Sequence, residues 1–292
     1  MQTVIITGCN GFIGKKLTKY LLDKNITVIG MDIIESADNN CEKFTFQKLD
    51  FDLPLTDILS KYEIDVLYHL AWCGVSTADK NNPDKQFINI GLTYKILELA
   101  NSLKIKKIVI PGSMSEFSRC TEPVTGYEKD SPSDLYAATK VAIRKIAYQY
   151  CLKNNLDLNW LLITSVYGSD RNDANLIKYV INSLKDNKEV RTTKLEQQWD
   201  YIHIDDLLNA FYLIGIKGKK NLIYPVGSGV AKHLKDYVEC IASFLNKKNL
   251  LRIGDLEYKN KYIDNSIPDI SELKKLGYVN VKAFEMEIKN MI

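Results

Sequence analysis

Near the N-terminus, Val4-Ile5-Ile6 runs into Thr7-Gly8-Cys9-Asn10-Gly11-Phe12-Ile13-Gly14, and no other stretch restricts the possible folds of the chain so strongly. The short apolar run predicts a buried strand, and Ile13, Leu17, Leu21 and Leu22 recur at helical spacing over Phe12 to Leu22. Strand, glycine turn and helix in this order make a cradle for a dinucleotide. The first glycine permits the tight turn, the second lets backbone approach a pyrophosphate, and the third lets the helix pack closely on the strand. Phosphate then meets N–H groups at the positive end of the helix. The spacing is Gly-x-x-Gly-x-x-Gly, one residue longer in its first half than the commonest fingerprint.

The next strand, Thr27-Val28-Ile29-Gly30-Met31-Asp32, ends in a carboxylate close to the ~20-residue spacing expected of an acid that accepts from the adenosine ribose 2′-hydroxyl. A 2′-phosphate would need a cation nearby. Ile33 to Glu42 contains no Lys or Arg and carries Glu35, Asp38 and Glu42, which favours NAD(H) over NADP(H).

The 292 residues allow one large or two modest domains, with 46% hydrophobic and 26% charged residues as in an ordinary globule. Net charge is +3 with Lys and Arg scattered, so no basic field argues for nucleic acid; Lys104-Lys106-Lys107, Lys217-Lys219-Lys220 and Lys247-Lys248 read as solvated helix ends and loops. Six cysteines, at 9, 41, 73, 120, 151 and 240, form neither a disulfide framework nor a zinc pattern. With no leader-like N-terminus and no apolar run of ~18 residues, the expectation is a cytoplasmic protein with reduced thiols.

Farther along, Lys43 to Leu49 has strand character and ends at Asp50, which either accepts from an adenine amino group or forms a turn. Pro54 to Lys61 predicts a short helix, and Asp65 to Ala71 a buried parallel strand in which His69 is a packing residue. Trp72-Cys73-Gly74-Val75 leaves that strand at its carboxyl end, where open α/β sheets bind ligands. Pro83 to Ser102 predicts a long helix with Phe87, Ile90, Leu97 and Ala100 on its apolar face, and Lys107 to Pro111 the following strand. Strands alternating with helices predict an α/β fold, a doubly wound Rossmann-type parallel sheet.

A helix opening at Ser133-Asp134-Leu135-Tyr136-Ala137-Ala138-Thr139-Lys140 and running to about Leu152 carries the chemistry, with Ser133 or Asp134 as its cap. Tyr136 and Lys140 are one helical turn apart and share a face. An ammonium beside a phenol stabilises the phenolate, so Tyr136 can give and take a proton near neutral pH, which suits hydride transfer at a carbonyl or alcohol.

Together with Ser113, Ser165-Val166-Tyr167-Gly168, Trp199-Asp200-Tyr201-Ile202-His203-Ile204-Asp205-Asp206, Val226-Gly227-Ser228-Gly229 and Asp269-Ile270-Ser271, these motifs resemble the extended short-chain dehydrogenase/reductases of the NAD-dependent epimerase/dehydratase family, which act on nucleotide sugars. The resemblance runs nearly end to end. It implies an NAD-binding domain over 1–168 and a smaller, partly interleaved nucleotide-sugar-binding region over 169–292, built from helices at Asn175 to Lys185, Asp205 to Ile214 and His233 to Leu245 and strands at Tyr201 to Ile204 and Asn221 to Val226. It implies Tyr136 as acid/base, Lys140 holding the nicotinamide ribose and polarising Tyr136, and Ser113 bonding the reacting sugar oxygen. Aligning Glu116-Phe117-Ser118 with the family's hydrophobic-Tyr-Gly selects Ser113; a shift by one would select Met114, which cannot donate that bond. Cofactor contacts are implied for Gly8, Asn10, Gly11, Phe12, Ile13, Gly14, Asp32, Asp50, Leu70, Ala71, Tyr136 and Lys140, and substrate contacts for Trp72, Ser113, Met114, Ser165 and Trp199. A homodimer paired through the helices from Pro83 and Tyr136 is implied as well.

Dehydratases of this family place an Asp-Glu pair directly after the catalytic Ser/Thr, where this chain has Met114-Ser115. The segment Gly112-Ser113-Met114-x-Glu116, the Ala71-Trp72-x-Gly74 exit and the chain length resemble nucleotide-4-keto-6-deoxyhexose reductases. An NAD-dependent 4-epimerase is the alternative, and a non-catalytic dinucleotide sensor a third possibility. Trp199 stands where the family carries a basic residue, and Ser165 to Ser169 where it carries Asn-x-Tyr-Gly-Pro.

Overall fold

Successive residues of β1 (Thr3–Thr7) enter different cores: Val4 and Ile6 pack into one and Ile5 into another, all fully buried. Both faces of the strand are covered, which is why its sequence is a continuous apolar run. The computed structural model describes residues 1–35, 41–168, 175–258 and 264–292; Asp38 and Ser169, named above, lie outside the described residues.

After β1 come α1 (Phe12–Asp23), β2 (Thr27–Asp32), β3 (Phe44–Lys48), α2 (Leu55–Leu59), β4 (Val66–His69), α3 (Pro83–Ser102), β5 (Lys107–Ser113), α4 (Leu135–Lys153) and β6 (Asp157–Ile163). The second half holds β7 (Ser165–Tyr167), α5 (Leu176–Lys185), β8 (Val190–Thr192), β9 (Gln198–Trp199), β10 (Tyr201–His203), α6 (Ile204–Lys217), β11 (Ile223–Val226), β12 (Lys232–His233), α7 (Leu234–Phe244), β13 (Leu251–Ile253), α8 (Ser271–Lys274) and α9 (Phe284–Glu287).

Seven strands form one parallel sheet in the order β11-β6-β5-β4-β1-β2-β3. The direction of winding reverses between β1 and β4, and ligands of such sheets bind at that switch point, beyond the carboxyl ends of the strands. Leu17 and Leu21 of α1 and Leu207 and Phe211 of α6 cover one face. Ile96 and Leu97 of α3 and Ile143 and Ala147 of α4 cover the other. A third core gathers Ile177, Val180, Tyr237, Ile241 and Phe284 from α5, α7 and α9. Thus residues beyond 168 build a separate core and also return a strand, β11, to the edge of the main sheet.

Asp134 caps α4 by accepting from the Ala137 amide at 2.8 Å. The apolar face expected of α3 holds at Ile90, Leu97 and Ala100 and is corrected at Phe87. Phe87 is exposed, while Gln86, Asn89 and Thr93 are buried beside Ile96, Leu97 and Ala100. The buried amides serve the loop after β4: Gln86 Nε2 donates to the Gly74 carbonyl at 2.7 Å, and Asn89 both accepts from the Cys73 amide at 2.7 Å and donates to its carbonyl at 3.0 Å. Two buried side chains of α3 thus hold the backbone of this loop.

Candidate active site

The turn after β1 leaves no room for a side chain at Gly8 or Gly14. Gly8 has φ +70°, and a Cβ there would lie 2.7 Å from the Ala71 nitrogen; one on Gly14 would fall 2.0 Å from the Gly8 carbonyl oxygen. Close approach of α1 to β1 and of the turn to the exit of β4 explains both glycines. The Leu70 amide donates to the Thr7 carbonyl at 3.1 Å and the Ala71 amide to Thr7 Oγ1 at 3.2 Å, joining the two strands on either side of the switch point. Gly11 is the N-cap of α1, without a side-chain cap and with no acid in the first turn, so Phe12 and Ile13 open a helix whose positive end is not neutralised by its own sequence. Asp32 Oδ2 accepts from the Asn10 amide at 2.9 Å and Oδ1 from the Ile33 amide at 2.8 Å, fixing the carboxylate beside the turn with lone pairs to spare for hydroxyls. These residues fit a dinucleotide. Asp50 instead accepts from Lys48 Nζ at 2.9 Å and from the Asp52 amide at 3.2 Å, the turn-forming alternative.

Tyr136 lies in the first turn of α4, and its amide donates to the Lys80 carbonyl at 2.9 Å. Two ammonium groups approach its ring, Lys80 at 5.2 Å and Lys140 at 5.7 Å from the centroid. Lys140 is only 3% exposed, donates to the Pro111 carbonyl at 2.7 Å and lies 3.4 Å over the Trp72 ring. Burial pulls its ammonium from the usual 10.5 down to about 7, with the Glu116 carboxylate pulling the other way. Pro111 is two residues before Ser113 on β5, so this one hydrogen bond ties the lysine to the strand that ends in the serine. Ser113 Oγ is 2.7 Å from Ser115 Oγ and accepts from the Ser115 amide at 3.2 Å.

Trp72 is a fixed wall of this site. Its ring meets Tyr136 edge-on at 5.7 Å, its face carries the Lys140 ammonium, and its Nε1 donates to Gln86 Oε1 at 3.3 Å. Beneath Ser113, Glu116 is fully buried and accepts from the Ser113 amide at 2.9 Å, from Trp160 Nε1 at 3.0 Å and from Arg144 Nε at 2.8 Å. Met114, expected among the substrate contacts, is corrected: its side chain is 2% exposed and packs into the core under α3 and α4, and Ser115 rather than Met114 meets the Ser113 hydroxyl.

On the far side, the two departures from the family pattern touch. Trp199 Nε1 donates to Ser165 Oγ at 2.9 Å. Asp200, fully buried, accepts from the Ser228, Gly229 and Val230 amides and so anchors the loop after β11. His69 bridges Thr7 at 2.8 Å and Thr93 at 3.1 Å, and burial lowers its pKa to about 3, so it stays neutral and structural. His203 caps α6. Sequence reasoning missed Lys80, Gln86, Ser115, Glu116 and Arg144. One signal was present: Ser113-x-x-Glu116 is the pattern of a capping box, and the structure forms it.

Residues 4–227 match the NAD dependent epimerase/dehydratase family. UDP-glucose 4-epimerase of Mycolicibacterium smegmatis is 28% identical over 90% of this chain and 90% of its own length. CDP-abequose synthase of Salmonella typhimurium is 25% identical over 95% of this chain and 93% of its own. Among solved structures, UDP-N-acetylglucosamine 4-epimerase from Methanobrevibacter ruminantium, in complex with UDP-N-acetylmuramic acid, superposes with a TM-score of 0.85 over 99% of this chain and 96% of its own at 23% identity, a likeness of fold.

Proposed function

The chain belongs to the NAD dependent epimerase/dehydratase family of enzymes, and on that premise we propose that it reduces the C4 ketone of a nucleotide-diphospho-4-keto-6-deoxyhexose, with NAD(H) as its cofactor. The observation that carries the proposal is the convergence of Tyr136 and Lys140 on the Trp72 ring, with Lys140 tied at Pro111 to the strand that ends in Ser113. Bound reduced nicotinamide would supply hydride to C4. Tyr136 donates its phenolic proton to the oxygen that becomes an alkoxide, Ser113 hydrogen-bonds that oxygen, and Lys140 holds the cofactor ribose while stabilising the phenolate left behind. Glu116 is turned into the core, which leaves the turn after Ser113 without a carboxylate for eliminating water.

The epimerase alternative requires the sugar to present its opposite face before hydride returns. An indole held at its edge by Gln86 and under its face by Lys140 supports a single orientation. Trp199 and Ser165 then hold the nucleotide sugar from beyond β6. Six free cysteines fit a reducing compartment, and among the described residues no helix is long and apolar enough to cross a membrane.

The test is consumption of NADH or NADPH with a panel of nucleotide-4-keto-6-deoxy sugars. Stoichiometric oxidation with one sugar is expected; conversion of an ordinary nucleotide hexose to its C4 epimer without net oxidation would replace the proposal with the epimerase.

Preference for NAD(H) rests on Asp32. Replacing Asp32 with Ala and Ile33 with Arg should shift the ratio of kcat/KM values toward NADPH roughly 100-fold, because the carboxylate that repels a 2′-phosphate gives way to a guanidinium that binds it. An unchanged ratio would remove Asp32 from that role.

The exposed apolar side chains Phe87, Ile88 and Tyr94 of α3 and Ile146, Tyr148 and Leu152 of α4 support a homodimer formed through these packed helices. Light scattering should return twice the 33.3 kDa chain mass. A monomer at micromolar concentration would contradict it.

A further inference from the structure

Ser113, Met114 and Ser115 leave β5 in a tight turn whose middle residue faces the core. Met114 is buried, while Ser113 and Ser115 on either side of it are half-buried. The two hydroxyls therefore emerge together, and they touch: Ser113 Oγ lies 2.7 Å from Ser115 Oγ and 3.2 Å from the Ser115 amide nitrogen. The pair is held from both ends. Glu116 Oε1 accepts from the Ser113 amide at 2.9 Å, and the Ser115 carbonyl accepts at 3.2 Å from the amide of Ser133, the residue before the cap of the helix that carries Tyr136.

A serine hydroxyl has one proton and two lone pairs. At Ser113 one lone pair is taken by the Ser115 N–H, which can only donate. Two groups compete for what remains, the Ser115 hydroxyl and the oxygen of the substrate. A ketone oxygen carries no proton, so a hydrogen bond between it and Ser113 needs the Ser113 proton. The 2.7 Å contact then survives only with Ser115 as its donor, filling the second lone pair. In that arrangement every hydrogen-bonding position on the Ser113 hydroxyl is assigned, and its proton has one direction left.

We propose that Ser115 is a positioning residue for the reaction: its amide and its hydroxyl both donate to Ser113 Oγ, and so direct the Ser113 proton at the oxygen on C4 of the sugar. The inference rests on the role proposed above for Ser113. As hydride reaches C4 and negative charge grows on that oxygen, Ser113 donates more strongly to it and accepts more strongly from Ser115, because consecutive hydrogen bonds polarise one another. Ser115 therefore acts in the transition state rather than in binding.

The experiment is a double-mutant cycle. Ser115→Ala keeps the amide and removes the hydroxyl, and it should lower kcat about 10-fold, the worth of roughly one hydrogen bond. The KM for the sugar and the affinity for NADH should stay within about twofold of the parent, the mark of an interaction made only in the transition state. Ser113→Ala should lower kcat about 100-fold. Adding Ser115→Ala to it should change kcat by less than about twofold, because the group through which Ser115 acts is already gone. A parent-level kcat in Ser115→Ala, a loss carried by KM, or a loss that recurs in full beside Ser113→Ala overturns the proposal. Should Ser115→Ala not fold, Ser115→Cys, close in shape with only a weak S–H donor, is read in the same way. The cycle is run on NADH oxidation, or on C4 epimerisation if the sugar panel shows the parent to be an epimerase. The panel thus decides the reaction and the cycle decides Ser115, so the reductase reading can fail with this inference intact, and the reverse. A parent silent in both assays overturns the role of Ser113 and this inference with it.

Discussion

Tyr136→Phe should lower kcat by about 1,000-fold, within the range measured when a positioned general acid is removed, while NADH affinity changes little. The ring stays, so its edge contact with Trp72 at 5.7 Å is preserved and the wall of the site keeps its shape. Only the proton donor is lost. Hydride transfer to a ketone without protonation leaves an alkoxide, which a hydrogen bond from Ser113 stabilises without supplying the proton that the phenol gives. The measurement is single-turnover oxidation of NADH at 340 nm with the preferred sugar, beside a fluorescence titration of NADH. Turnover within tenfold of the parent would remove Tyr136 from the mechanism; loss of NADH binding would mean that the substitution acts on the cofactor site instead.

The second large effect is expected at Gly14. An alanine there places Cβ 2.0 Å from the Gly8 carbonyl oxygen and 2.9 Å from the Cys9 Cα, backbone atoms on a strand-turn that cannot rotate away. α1 must lift from β1. Overpacking of this kind typically costs ~1–3 kcal/mol, and with backbone on the receiving side the upper end applies, which lowers Tm by roughly 5–10 °C for a chain of this size. The first-turn amides move with the helix, so NADH affinity should fall by more than about 10-fold. Gly11→Ala is the internal comparison: its Cβ meets only the Gly8 oxygen, at 3.3 Å, and the melting temperature should hold. Equal melts for Gly14→Ala and the parent would contradict the close approach of helix to strand.

These two expectations differ in what the amino-acid sequence already contained. Gly8, Gly11 and Gly14 stand between an apolar run and a helical pattern, and that local order fixed their use before any coordinates. Met114 shows the opposite. Its neighbours offer a polar, strand-ending context, yet the short helical turn at Met114–Glu116 rolls its thioether into the core and brings Ser115 to Ser113. Phe87 shows it again: α3 carries apolar residues on most of its surface, so periodicity could not choose the inward face, and the choice fell to Gln86 and Asn89 because the loop after β4 needed hydrogen-bond partners.

The sequence by itself determined the parallel α/β architecture, the glycine turn between β1 and α1, and the shared face of Tyr136 and Lys140, because each depends on residues a few positions apart or on a strand's own hydrophobicity. Only the tertiary structure decided that the ammonium of Lys140 lies dry between Trp72 and Pro111, that Glu116 is buried against Arg144 and Trp160, and that Trp199 bonds Ser165. Those contacts join residues 28 to 68 positions apart in sequence (Glu116 to Arg144 is the shortest span, Trp72 to Lys140 the longest). Their energies come from desolvation and from geometry between elements, and neither has a period that a linear chain can display.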